Sequence, residues 1–309
     1  MSHKKKAGWG QPALPGQGRA RLARLRRVKP TAPLSPSMFV IPLLIILIGL
    51  CGCKGIGGVK VEQRQPLALT PEEAARSLEE GRALFAEQPR SLKRVTRAAQ
   101  LLEQSARTLR DDYDPQWQAA QAWAFLAENG LHPVLRKDAA KRGIVLARHA
   151  RELNPDRVEG HYWYAINVGL LADVDRAYGL DAVSEMQTAL KRAIELDERY
   201  DFAGSLRLMA ILHLRSPAPP VSIGSPRKGL RLLQRAVELF PDYPENYLYL
   251  AEALRDTGKP DEARKTLDKV LQAQPLPDQQ FESARWKENA QKLLSELPDA
   301  DSKNQSGIQ

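Results

Sequence analysis

One phrase, written four times, constrains this chain more than any other feature of it. It reads Ala150-Arg151-Glu152-Leu153-Asn154-Pro155, then Ala193-Ile194-Glu195-Leu196-Asp197-Glu198, then Ala236-Val237-Glu238-Leu239-Phe240-Pro241. A weaker copy follows at Val270-Leu271-Gln272-Ala273-Gln274-Pro275. A small residue, an apolar one a helical turn later and a chain-turning residue describe the end of an amphipathic helix. Units that end alike at regular distances cannot bury their apolar faces alone, so they stack.

The terminal position falls at Asp111, Pro155, Glu198, Pro241 and Pro275, at spacings of 44, 43, 43 and 34 residues. With Ala263 set at position 20 of a 34-residue repeat, Tyr247, Leu250, Ala251, Leu254, Leu267, Val270 and Pro275 fall on positions 4, 7, 8, 11, 24, 27 and 32. That is the tetratricopeptide pattern, in which small residues let the paired helices approach closely. The earlier units each carry about nine extra residues over that 34-residue length. These are expected as insertions between paired helices, at Ala172–Asp181 and Arg215–Pro226.

Helix signals run through the whole body. Thr70-Pro71-Glu72-Glu73 is an N-cap followed by Pro and a capping-box Glu. Further helices are expected from Ser91, from Asp114 to Gly130 and over 135–153, 158–171, 181–196, 202–214, 226–240, 244–256, 261–272 and 278–297. No stretch alternates long enough to make a strand. The expected fold class is all-α, a tetratricopeptide-like α-solenoid of about 11 helices over residues 70–297, with a disordered N-terminal leader and a polar tail at 298–309.

The leader accounts for the charge. The net charge of +9 comes from nine Lys and Arg in residues 1–37, which hold no Asp or Glu. The remaining 37 basic residues equal the 37 acidic ones, so a nucleic-acid partner is not expected. Met38–Leu50 is a 13-residue apolar run, short for a membrane span and suited to a signal-peptide core. Leu50-Cys51-Gly52-Cys53 then resembles a lipoprotein processing site, with Cys53 as the lipidated residue. Residues 1–53 thus read as leader and signal peptide, and 54–69 as a flexible tether. The implied location is the bacterial cell envelope, facing the periplasm, with Lys54 favouring the outer membrane.

Catalytic signatures are lacking. There is no G-x-S-x-G and no H-E-x-x-H, and five His offer no metal cluster, so neither an enzyme nor a cofactor is expected. Binding candidates gather in the central unit. His161, Tyr162, Trp163 and Tyr164 are consecutive on a helix and so point in different directions; at least one is expected to face a cleft. Asn167, Asp173, Arg176 and Asp181 either contact a ligand or tie down the long loop. Tyr178 borders a pocket or closes a turn, and Trp123 lines a cavity or packs in the core.

The segments EGHYWYAINVGLLAD, RAYGLDAVSEMQTALKRAIELD, YDFAGSLR and LRSPAPPVSIGSPRKGLRLLQRAVELFPDYPEN resemble the TatT family. These are lipoprotein T components associated with tripartite ATP-independent periplasmic (TRAP) transporters. The resemblance implies a membrane-anchored helical protein that works with a periplasmic solute-binding protein, the P component, and takes a hydrophobic small ligand. The alternative is a tetratricopeptide scaffold for other envelope proteins, without a small ligand; either could form a homo-oligomer. A continuous apolar cavity beside Trp163 and Tyr178 would favour the first, and a charged groove the second.

Overall fold

A computed structural model describes residues 69–276 and 279–298 of the chain. The leader, with Cys53 and most of the tether, lies outside the described residues, as do positions 299–309. The described residues form α1 (Pro71–Ala86), α2 (Leu92–Thr108), α3 (Tyr113–Asn129), α4 (Pro133–Leu153), α5 (Val158–Val174) and α6 (Gly179–Leu196). They continue through α7 (Tyr200–Arg215), α8 (Pro226–Leu239), α9 (Pro244–Asp256), α10 (Pro260–Gln272) and α11 (Gln280–Glu296). This is the expected all-α solenoid of eleven helices.

Local chemistry sets the helix starts. At α1 the capping box is complete: the Glu73 amide donates to Thr70 Oγ1 at 3.2 Å and the Thr70 amide to the Glu73 carboxylate at 2.8 Å. Pro opens α1, α4, α8, α9 and α10, where its missing N–H costs nothing. Each odd-numbered helix pairs with the next even one, and α11 closes the stack on α9 and α10. Successive odd helices also touch one another, whereas troughs separate α2 from α4 and α6 from α8. The result is an inner layer of odd helices and an outer layer of even ones.

Small side chains make the close approaches. Ala119, Ala120, Ala122, Ala124 and Ala127 are buried along α3, which packs on α2, α4 and α5. At Gly143 a Cβ would lie 2.0 Å from Asn167 Oδ1, so only glycine lets α4 cross α5 there.

The extra residues of the long units do not all go where the sequence suggested. The links α3–α4 and α5–α6 are short, and the additional length instead extends the helices: 17 and 21 residues in α3 and α4, 17 and 18 in α5 and α6, against 13 and 13 in α9 and α10. Most of Ala172–Asp181 is helical, with one 3-10 turn at Arg176–Tyr178. The reason is burial. Leu170, Leu171, Ala172, Ala182, Val183 and Met186 join the core, which a solvated loop could not achieve. Among the described residues only the α7–α8 link, 216–225, is a true inserted loop.

Candidate functional site

Two regions draw in polar side chains from several helices: a buried knot at the starts of α5, α7 and α9, and an open groove along α9 and α11.

The knot is built around a turn that disfavours itself. Asp201, Phe202 and Ala203 at the start of α7 have φ of 52°, 51° and 64°, a left-handed turn without glycine. Each such residue costs roughly 1–2 kcal/mol, so the surroundings must hold it. Tyr162 donates its hydroxyl to the Asp201 carboxylate. Arg207 Nη1 donates to the Phe202 carbonyl at 2.7 Å and to Asn246 Oδ1 at 3.0 Å. Arg207 also pairs with Glu245 at 3.2 Å and with Asp201 at 3.8 Å. Phe202 stacks on Tyr243 with ring centroids 4.3 Å apart. A Cβ at Gly204 would sit 2.4 Å from the Tyr162 hydroxyl, so this helix start also needs its glycine. Burial pushes the Tyr162 hydroxyl well above its ordinary range, and the ring stays a neutral donor.

The sequence candidates from His161 to Asn167 in α5 belong to this knot and to the core beside it. His161, Tyr162, Trp163 and Tyr164 are all buried, at 6, 2, 0 and 5% exposure. The expectation that one faces an open cleft is therefore not met. α5 is enclosed by α3, α4, α6 and α7, so every direction around it is interior. Trp163 donates its indole N–H to the Tyr200 hydroxyl at 3.2 Å. His161 Nε2 lies 2.9 Å from the Pro155 carbonyl, and burial lowers its pKa below the usual histidine value. Asn167 donates to the Ala120 and Trp163 carbonyls, tying α5 to α3.

The remaining candidates scatter. Tyr178 donates to Glu185 at 2.6 Å, bracing the start of α6 together with Tyr164, which donates to the same carboxylate. Asp181 is exposed in the first turn of α6. Trp123 is buried in α3 beneath the Arg142 guanidinium, 5.0 Å from its ring centroid. The side chain of Arg176 lies outside the described ones. Of the candidates, only Asp173 reaches the groove.

That groove has a volume of about 680 Å³. One wall is the stripe Glu245, Leu248, Tyr249, Glu252 and Arg255 of α9; the other is Arg285, Glu288, Asn289, Lys292 and Glu296 of α11. Glu128, Asp173 and Arg215, at or near the C-terminal ends of α3, α5 and α7, close it together with Arg136 from the first turn of α4. Its charges are mostly paired: Arg136 with Asp173 at 2.7 Å, Arg215 with Glu252 at 3.2 Å, Arg255 with Glu296 at 3.0 Å and Arg285 with Glu128 at 3.1 Å. Burial raises the Glu252 pKa above the ordinary carboxylate value. One Nη of Arg215 is buried without a hydrogen-bond acceptor. The arrangement presents both signs of charge beside Tyr249 and Trp286, a lining suited to a polypeptide segment.

Two contacts carry the chain across the unit. Arg285 reaches Glu128 from 157 residues away, and Glu282 lies 3.8 Å from Arg90 in the α1–α2 link. No group of three or more His, Cys, Asp or Glu placed to hold a metal occurs among the described residues. No helix among them is long and apolar enough to cross a membrane.

Comparison with known proteins bears out the fold. The sequence profile of a family described as regulator of microtubule dynamics protein 1-3 matches residues 78–207, and that of a tetratricopeptide repeat family matches 224–285. No curated protein sequence matches the chain. Among solved structures, the tetratricopeptide repeat protein TTC0263 of Thermus thermophilus is similar at 19% identity and a TM-score of 0.53, over 71% of this chain and 99% of that one. A MamA protein is similar at 15% identity and a TM-score of 0.43, over 75% of this chain and 100% of that one. The first of these shows the fold, and the profile over 224–285 spans the unit that carries the 34-residue repeat register. The protein is a tetratricopeptide-like α-solenoid, a class of helical-repeat scaffold suited to binding other proteins.

Proposed function

We propose that this chain is a lipid-tethered, periplasm-facing scaffold that binds a segment of a partner protein in the groove between α9 and α11. The carrying observation is the groove itself: about 680 Å³, lined by both signs of charge, with a buried Arg215 Nη lacking an acceptor. Acidic and basic groups of the partner would exchange into the existing ion pairs.

The resemblance to the TatT family suggests a periplasmic solute-binding protein as the partner and Cys53 as the anchor. A hydrophobic small ligand has less support. The apolar cavity beside Ala172, Val183 and Met186 holds only about 20 Å³, and Trp163 is fully enclosed. Ligand pockets usually need several hundred Å³. The family matched over 78–207 is described by a role in microtubule dynamics, so a cytoskeletal partner is the competing identity for the same groove.

The test is photo-crosslinking in cells from the full chain, with the reactive residue at Asn289 in the groove or at Ser184 on the outer layer. A discrete adduct from Asn289 alone, lost in Arg215→Glu, is expected, and its mass spectrum names the partner. Equal adducts from both positions, or an adduct indifferent to Arg215→Glu, would overturn the groove as the binding site.

A further inference from the structure

The formally neutral body is not neutral layer by layer. The inner helices α1, α3, α5, α7, α9 and α11 carry 15 acidic and 8 basic residues, a net of −7. The outer helices α2, α4, α6, α8 and α10 carry 10 acidic and 19 basic, a net of +9. The excess sits in three helices: α2 and α8 each have four basic residues to one acidic, and α4 has six to two.

Between α2 and α4 runs a trough of about 730 Å³, edged by Arg107, Arg110, Lys141, Arg142 and Arg148 against three carboxylates, Glu103, Asp138 and Glu152. Arg142 is committed, to Glu103 at 3.1 Å and Asp138 at 2.8 Å. Arg107 pairs with Glu103 at 2.5 Å, and Arg148 lies over the Tyr164 ring, 5.8 Å from its centroid. Arg110 and Lys141 form no ion pair with a carboxylate within 4 Å among the described residues. The same helix carries an unusual apolar exposure. Leu131, Val134, Leu135 and Val145 are 80, 78, 60 and 65% exposed, and they are four of the five large exposed apolar residues among the described ones, all on α4 or the link into it. Val134, Lys141, Val145 and Arg148 follow one another at helical spacing along the outward stripe.

Cations interleaved with exposed apolar side chains on one helix face have a specific use. The cations are drawn to an anionic lipid surface while the apolar groups enter its interfacial region. Nucleic acid would use the charge and leave Leu131, Val134, Leu135 and Val145 in water. We infer that the outer layer docks on an anionic bilayer through α2 and α4, leaving the acidic inner layer and its groove turned to the aqueous side. This goes beyond the partner-binding reading and needs no acyl chain.

The test uses the full chain with Cys51→Ser and Cys53→Ser, so that no acyl group contributes. An environment-sensitive fluorophore is placed at Val145→Cys on α4 or at Glu79→Cys on exposed α1. Vesicles of phosphatidylglycerol with phosphatidylcholine should blue-shift the label at 145 and not that at 79, and pure phosphatidylcholine should shift neither. Lys141→Glu with Arg148→Glu should weaken the response at 145 at least tenfold in lipid concentration, as expected when about two surface cations are reversed. Equal shifts at both positions would mean that the basic leader attaches the chain with no preferred face, and would overturn the inference. So would no shift at either, or a response at 145 to duplex DNA in place of vesicles. Acylation of wild-type Cys53, read by the mass of the mature N-terminus, is a separate result and fails separately.

Discussion

The central unit, α5 with α6, and the last full unit, α9 with α10, follow one packing plan and end in different roles. In α9 the residues Tyr247, Ala251 and Leu254 pack inward, and the opposite stripe from Glu245 to Arg255 is left for the groove. In α5 every side chain from Gly160 to Ala172 is buried, because neighbours surround it and the added turns extend the contact. A repeat in the middle of a stack therefore spends its aromatic residues on cohesion. A repeat near the end leaves Tyr249, Glu252 and Arg255 half-buried along the groove.

Substitutions should separate the two units by size of effect. Trp163→Ala removes an indole that is fully enclosed and should destabilise the body by about 3–5 kcal/mol, read as a lower urea midpoint. Arg207→Leu takes away the cation between Asp201 and Glu245 and should cost about 3–5 kcal/mol by the same measurement. A smaller cost than about 1 kcal/mol would show that the left-handed turn holds without its ionic support. Gly143→Ala drives a methyl into Asn167 and should cost about 1–3 kcal/mol.

His161 adds a pH dependence to the central unit. Its folded pKa lies below the ordinary 6.5 because it is buried, so the unfolded chain takes up the proton first. Stability from this group is complete above that value and falls as pH drops through and below it. His161→Gln should flatten the acid limb of a pH–stability profile, and an unchanged limb would exclude this histidine as its source. Groove residues should do the least to stability. Lys292→Ala and Asn289→Ala, on the exposed face of α11, should stay within about 0.5 kcal/mol of wild type while weakening the crosslink to the partner.

Much of the fold was legible in the residues. The capping box at Thr70, the small residues at Ala251 and Ala263 and the recurrent helix ends each report a local rule, and local rules survive stacking. The groove was less legible, for two reasons. The repeat register marks packing positions, whereas Glu245, Leu248, Glu252 and Arg255 occupy the complementary stripe of the same helix. The pairs Arg285–Glu128 and Glu282–Arg90 depend on rotations summed over five units, which no window of sequence contains. The aromatic cluster at 161–164 looked like an open binding face because its enclosure is supplied by helices far along the chain.

The most direct measurement is hydrogen–deuterium exchange on the full chain, with and without the partner identified by crosslinking. Added protection is expected in 245–256 and 285–296, with no change in 160–172. Protection gained in 160–172, with the α9 and α11 peptides unchanged, would contradict it and return the binding role to the central unit.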